Sequence, residues 1–123
     1  MSRSVYINAT STVFPNPPVD NDSIEKILGT VRGTPSRSRA IVLRSNQIKT
    51  RHYAIDPETR ASTHTNAQLT SEAVRALFAQ NPELCLREVE LLCCGTSSPD
   101  VIMPAHGQMV QGHLGEFAGE VVT

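Results

Sequence analysis

The chain has 123 residues, of which 39% are hydrophobic and 19% charged, with a formal net charge of −1. Such a length fits about one domain, and the balanced charge excludes a basic nucleic-acid or membrane-surface protein. The start, MSRSVYINATSTVF, lacks the apolar core of a signal peptide, and no run approaches the ~20 apolar residues of a membrane span, so a cytoplasmic protein is expected.

In chain order, residues 5–14 (VYINATSTVF) carry the β-branched and aromatic enrichment of a strand, ended by Pro15, Pro17 and Pro18. DNDSIEKILG follows, with Asp22 and Glu25 spaced as a capping box, Ile24, Ile27 and Leu28 as one apolar stripe, and Gly29 as a closing residue. The spacing predicts a short helix. Residues 30–50 carry five basic residues and the turn formers Gly33 and Pro35 around an apolar patch, Ala40 to Leu43; a solvated loop is one reading of them. RHYAID reads as a short strand and residues 57–63 as a turn-rich loop.

TSEAVRALFAQNPEL gives the clearest helix. Thr70 is the expected N-cap, Leu69 staples against Val74, and Ala73, Val74, Leu77 and Phe78 share a face before Asn81-Pro82 ends it. VELLCCG (89–95) is a nearly unbroken apolar run, the pattern of a strand covered on both faces. TSSPDVIMP is then a loop at that strand's carboxyl end, AHGQMVQGHLG a helix with Met109, Val110 and Leu114 inward, and EVVT a further buried strand. The chain stops on that strand with no turn or polar tail, which reads as an interruption.

The three cysteines, Cys85, Cys93 and Cys94, lack a disulfide framework. Adjacent Cys93 and Cys94 on a strand point to opposite faces and make a poor chelating pair, so all three are read as small buried hydrophobes. His106 and His113 share a helix face, yet no third ligand is suitably spaced, and no metal site is expected. Gly95-Thr96-Ser97-Ser98-Pro99 begins like a nucleophile elbow, but Pro99 replaces the last glycine that the strand-to-helix turn requires.

Strand, helix, buried strand, helix, buried strand implies an α/β layer with a mostly parallel sheet and right-handed crossovers. Ligands in such sheets gather beyond the carboxyl ends of the strands, a condition met by the loop 96–104 and by whatever would follow Thr123.

Three blocks carry a family resemblance: SRAIVLRSNQIKTRHYAID, TSEAVRALFAQ, and ELLCCGTSSPDVIMPAHGQMVQGHLG with its strand, T-S, short loop, proline, helix and L-G. In this order they resemble the amino-terminal part of ketoacyl synthase III enzymes, within the thiolase-like condensing enzymes. The resemblance implies a partial thiolase-like fold, the front of an amino-terminal βαβαβ half, with residues 1–123 a segment incomplete by itself. It also implies decarboxylative Claisen condensation of an acyl thioester with a malonyl-type or β-ketoacyl thioester through an acyl-cysteine. Such chemistry needs a thiolate at a helix N-terminus and donors for the thioester oxyanion.

In that family the nucleophile lies a few residues beyond the strand matching EVVT. None of the four histidines falls in the family's catalytic block, and no Asn matches its catalytic Asn. The chain alone is therefore expected to be inactive, with no catalytic residue of its own, and to need a complementary carboxyl-terminal part carrying Cys, His and Asn. A homodimer partner and an acyl-carrier protein or coenzyme A thioester are the other partners the resemblance implies; no cofactor is implied.

By position, Arg44 matches a basic residue at the mouth of the tunnel used by coenzyme A or a carrier phosphopantetheine, where a guanidinium suits phosphate. Ala40 stands where starter-condensing members place an adenine-stacking Trp, which leans toward a carrier-protein donor. Met103 matches a bulky residue that lines the dimer partner's acyl pocket; a plain core methionine is the alternative. Thr96 and Ser97 would lie near the pocket floor. IKTRHYAID and THTNAQLT look closest to family members of specialised metabolism, such as those making dialkylresorcinols or cyclised polyketides. The competing reading, from another class, is a stand-alone binding or scaffolding domain that kept the front of the fold and lost catalysis.

Overall fold

The computed structural model describes residues 4–123, which form two compact units, one of residues 14–64 and one of residues 4–13 with Thr65–Thr123. In the 14–64 unit a two-residue strand, β1 (Val19–Asp20), leads to helix α1 (Ile24–Leu28), helix α2 (Arg39–Asn46) and strand β2 (Thr50–Arg51). β1 and β2 pair antiparallel, Val19 opposite Arg51 and Asp20 opposite Thr50.

α1 forms where the apolar stripe predicts it, and Gly29 closes it at φ +78° with its N–H donating to Glu25 O at 2.9 Å. Its start differs from the expected capping box. Ser23 is the N-cap, and its N–H is held by Asp20 Oδ1 at 2.8 Å, while Glu25 Oε1 is taken by the N–H of Ser36 at 3.0 Å. A carboxylate engaged with a distant amide does not cap its own helix.

The basic stretch, for which a solvated loop is one reading, contains α2. Arg, Ala and Leu are strong helix formers, and Arg39 anchors the first turn by donating to Asn21 O and to Asp22 Oδ1 at 3.1 Å. Gln47, at φ +55°, ends the helix with its N–H on Leu43 O. RHYAID contributes only Arg51 to a ladder and Ile55 to an isolated bridge with Ser62. Between those bridged residues Asp56 organises the turn, its Oδ1 accepting from Glu58 N, Thr59 N and Thr59 Oγ1.

The other unit holds helix α3 (Asn66–Gln80), a 3-10 turn (Leu86–Glu88), strand β3 (Leu91–Cys93), helix α4 (His106–Leu114) and strand β4 (Glu120–Val122). β3 and β4 are parallel, with Leu91 opposite Glu120, Leu92 opposite Val121 and Cys93 opposite Val122. A parallel pair joined through a helix is the crossover unit that the alternating pattern implies. Leu92 and Val121 pack against a core of Ala67, Cys94, Val110, Leu114 and Phe117, joined by Val74 from α3 and Met109 from α4.

Three expectations for this unit are corrected. Residues 5–14 form no strand: among the described residues no ladder or bridge includes them, and Val5, Tyr6 and Ile7 are exposed. A β-rich composition makes a strand only where a ladder partner exists. The α3 N-cap is Thr65 rather than Thr70, in a full capping box: Thr65 Oγ1 accepts from Gln68 N at 3.1 Å and Gln68 Oε1 from Thr65 N at 2.8 Å. Thr70 sits one turn inside, donating to Asn66 O. Finally, β3 and β4 are covered on one face, not two, since Leu91 and Val122 are each about half exposed.

Candidate functional site

Because β3 and β4 run parallel, their carboxyl ends lie side by side, and Cys94 N donates to Val122 O at 2.9 Å just past them. This end of the sheet gathers Cys94, the loop 95–105, the first turn of α4 and Thr123. Thr123 Oγ1 accepts from Gly107 N at 2.9 Å and so caps α4, whose N-cap Ala105 has no side chain for the purpose. Close approach requires the glycine: a Cβ at position 107 would meet Thr123 Oγ1 at 2.4 Å and Val121 Cγ1 at 2.6 Å.

The loop is tied to α3. Asp100 Oδ1 accepts from Asn66 N at 2.8 Å and its Oδ2 from Ala67 N at 2.9 Å, while the Asn66 side-chain amide donates to Ser98 O. Desolvation works against ionisation of Asp100, but the Ala67 and Asn66 amides, helped by His106 and His113, hold its carboxyl below the ordinary carboxylate value. With Thr65 on Gln68 N, the first three N–H groups of α3 all have acceptors within the protein.

His106, at the start of α4, is only 2% exposed. Its Nε2 lies 3.1 Å from Thr70 Oγ1, whose hydroxyl is 2.9 Å from Asn66 O. With the single Thr70 proton directed at Asn66 O, His106 Nε2–H is the donor, and Nδ1 is left buried with no partner. His113 is exposed, so the two histidines are not equivalent. Among the described residues no group of three or more His, Cys, Asp or Glu is placed to hold a metal.

The cysteines also separate. Cys94 is buried, as expected, and burial, with adjacent Cys93 adding, pushes its thiol up. Cys85 and Cys93 are exposed, which corrects their reading as buried hydrophobes. Cys93 follows the period-two alternation onto the uncovered face of β3.

Of the four residues singled out for substrate binding, Thr96, Ser97 and Met103 lie in the one loop at the carboxyl end of β3. All three are exposed; Thr96 Oγ1 accepts from Ser98 N at 3.2 Å, and Met103 stands out at 79% exposure. Met103 is thus no core methionine of this unit. No helix starts directly after Ser97, the next one beginning at His106, consistent with the missing elbow glycine.

Arg44 belongs to the 14–64 unit, exposed in the last turn of α2, where a cation complements the helix dipole. That unit holds a separate apolar cavity of about 280 Å³, lined by Ile24, Leu28, Val31, Val42 and Leu43 with Arg39 and Arg51, and not by Arg44. The residues the sequence reading missed are Asn66 and Asp100; His106, weighed there as a metal partner of His113, is buried against Thr70.

No family model matches the chain. It is 26% identical over 117 residues to the beta-ketoacyl-[acyl-carrier-protein] synthase III of Xanthomonas euvesicatoria pv. vesicatoria, covering 94% of this chain and 32% of that protein. The synthase III of Lactobacillus helveticus is 26% identical over 109 residues, 89% of this chain and 29% of its own length. Among solved structures, AbyA1, a tetronic acid condensing enzyme, matches with a TM-score of 0.67 and 29% identity over 92% of this chain and 32% of its own. The chain thus spans about a third of the length of the curated relatives it matches. These similarities bear out the resemblance to part of a ketoacyl synthase III-like condensing enzyme, and the mixed α/β architecture is that of a partial thiolase-like fold.

Proposed function

We propose that this chain is the amino-terminal segment of a ketoacyl synthase III-like acyltransferase, which condenses an acyl thioester with a malonyl-type or β-ketoacyl thioester by decarboxylative Claisen chemistry. The observation that carries the reading is the structural match to a condensing enzyme along 92% of the chain. The segment supplies framework and pocket wall; the reactive sulfur comes from elsewhere. Its own buried cysteine, Cys94, has its thiol pushed up, the opposite of an activated nucleophile.

In this reading the loop 96–104 lines the acyl channel with Thr96 and Ser97, and Met103 reaches the acyl pocket of a dimer partner. Arg44 meets the phosphate of a carrier-bound or coenzyme A thioester, and Ala40 in place of an aromatic favours a carrier protein. The complementary segment, with Cys, His and Asn, covers the open face of β3 and β4, where Leu91 and Val122 are half exposed. The complete enzyme is a cytoplasmic dimer of polyketide or dialkylresorcinol-type biosynthesis. Among the described residues no helix is long and apolar enough to cross a membrane.

The test is acylation followed by condensation. The complete protein is incubated with acyl-carrier and coenzyme A thioesters and a malonyl-type extender, and intact mass and product are read. An acyl adduct outside this segment, with a condensed product, is expected. No adduct and no product with any donor would leave the binding or scaffolding reading in its place.

A further inference from the structure

The loop 96–104 has no ladder and little burial, yet it is held at three points, all on one turn of α3. Ser98 O receives the Asn66 side-chain amide, Asp100 takes the Asn66 and Ala67 backbone amides, and His106, just past the loop, is joined through Thr70 to Asn66 O. Between the second and third anchors project Val101, Ile102 and Met103, at 47%, 89% and 79% exposure. Ala67, whose N–H Asp100 holds, is itself 1% exposed. Release of the carboxylate would strand a donor on a buried residue, so the loop does not drift by small steps.

We propose that Asp100 and Asn66 are positioning residues: they latch the 96–104 loop to the first turn of α3 and so fix where the Val101-Ile102-Met103 tip stands, which sets the acyl chain length the enzyme accepts. The selectivity part rests on the reading of Met103 and its loop as acyl-pocket wall; the latch itself rests on the hydrogen bonds alone. An apolar tip displayed between polar anchors suits contact with an apolar chain, and a pocket wall that moves by a methylene changes which chain fits.

The experiment uses the complete enzyme with Asp100→Ala, Asp100→Asn and Asn66→Ala. Hydrogen exchange is read over residues 66–70 and 96–104, and kcat/KM is measured for short-, medium- and long-chain acyl thioesters. Their ratio is independent of how much enzyme is folded, so a general loss of structure does not mimic the effect. Expected are exchange faster by about tenfold or more at Asn66 and Ala67, whose amides Asp100 holds, for Asp100→Ala and a long-to-short ratio changed on the order of tenfold. Asp100→Asn, which keeps one acceptor, falls between it and the parent.

Unchanged exchange overturns the latch. Faster exchange with a ratio held within about twofold overturns the selectivity role. A parent enzyme that no donor acylates overturns the proposed function and, with it, the selectivity role, while exchange still decides the latch. Should Asp100→Ala not fold, Asp100→Asn carries the exchange criterion, and Asn66→Ala, which removes only the amide on Ser98 O, carries the ratio criterion.

Discussion

Two glycines of α4 should respond to alanine with opposite signs. A Cβ at position 107 would lie 2.4 Å from Thr123 Oγ1 and 2.6 Å from Val121 Cγ1, whereas one at position 112 meets nothing within 4 Å. Val121 is packed against the core and Thr123 Oγ1 is bound to Gly107 N, so neither yields freely. Overpacking of this kind costs about 1–3 kcal/mol, and pushing Thr123 away forfeits a helix-capping bond of about 1 kcal/mol. The propensity gain of alanine over glycine returns at most about 1 kcal/mol, leaving a net loss of roughly 1–3 kcal/mol for Gly107→Ala. Gly112→Ala keeps the gain without the clash and should stabilise by about 0.5–1 kcal/mol. Native-state hydrogen exchange of the α4 and β4 amides, in the complete protein, reads both, with tenfold in protection for each 1.4 kcal/mol or so. If Gly107→Ala protects α4 as well as Gly112→Ala does, the helix does not press on β4 and the account of this end of the sheet fails.

Thr65→Ala should weaken α3 by about 0.5–2 kcal/mol, measured as faster exchange of its first turn, because the capping box with Gln68 is lost; Thr70→Ala should leave that cap intact. Asp56, whose carboxyl is held low by the Thr59 amide and hydroxyl and the Glu58 amide, is more acidic folded than unfolded. Its contribution is complete above the ordinary carboxylate pKa of 3.8 and is lost as pH falls through the lower folded value; Asp56→Asn should flatten that acid limb for the 56–61 turn, seen as amide shifts on titration. Thiol labelling with peptide mapping should mark Cys85 and spare Cys94 in the complete protein. Cys93, exposed in this segment, should be protected there by the complementary segment, and equal labelling of Cys85 and Cys93 would argue against a covered β3 face.

Where elements repeat a strong apolar period and pack on each other, the sequence announces them. α3, α4, β3 and β4 stand where the periodicity puts them because each buries the residues that carry the period, Val74, Val110, Leu114, Leu92 and Val121. Misjudged elements are those whose state depends on a partner. Residues 5–14 have strand composition and no ladder, and the apolar patch Ala40 to Leu43 lacks helical spacing, while α2 is held by Arg39 reaching Asn21 and Asp22. The cap of α3 moved by five residues because Thr65 and Thr70 are both good caps in isolation, and only the reciprocal bond of Gln68 decides between them. As for the site, the loop was legible from the rule that ligands sit beyond strand carboxyl ends. Its anchors were not, since Asn66 and Asp100 are 34 residues apart.

These contrasts bear on how the work of the fold is divided. At the carboxyl end of β3 and β4 several polar groups are taken up by caps and latches: Asp100 on α3, Thr123 on α4, His106 on Thr70. Donors consumed in this way are not free to hold an oxyanion, and the buried thiol nearby is driven toward its protonated form. Beside them the segment exposes apolar side chains, Val101, Ile102 and Met103 at the loop tip and Leu91 and Val122 on the open sheet face. An end of a sheet that spends its hydrogen bonds on its own rigidity and exposes apolar side chains beside them is suited to shaping a pocket.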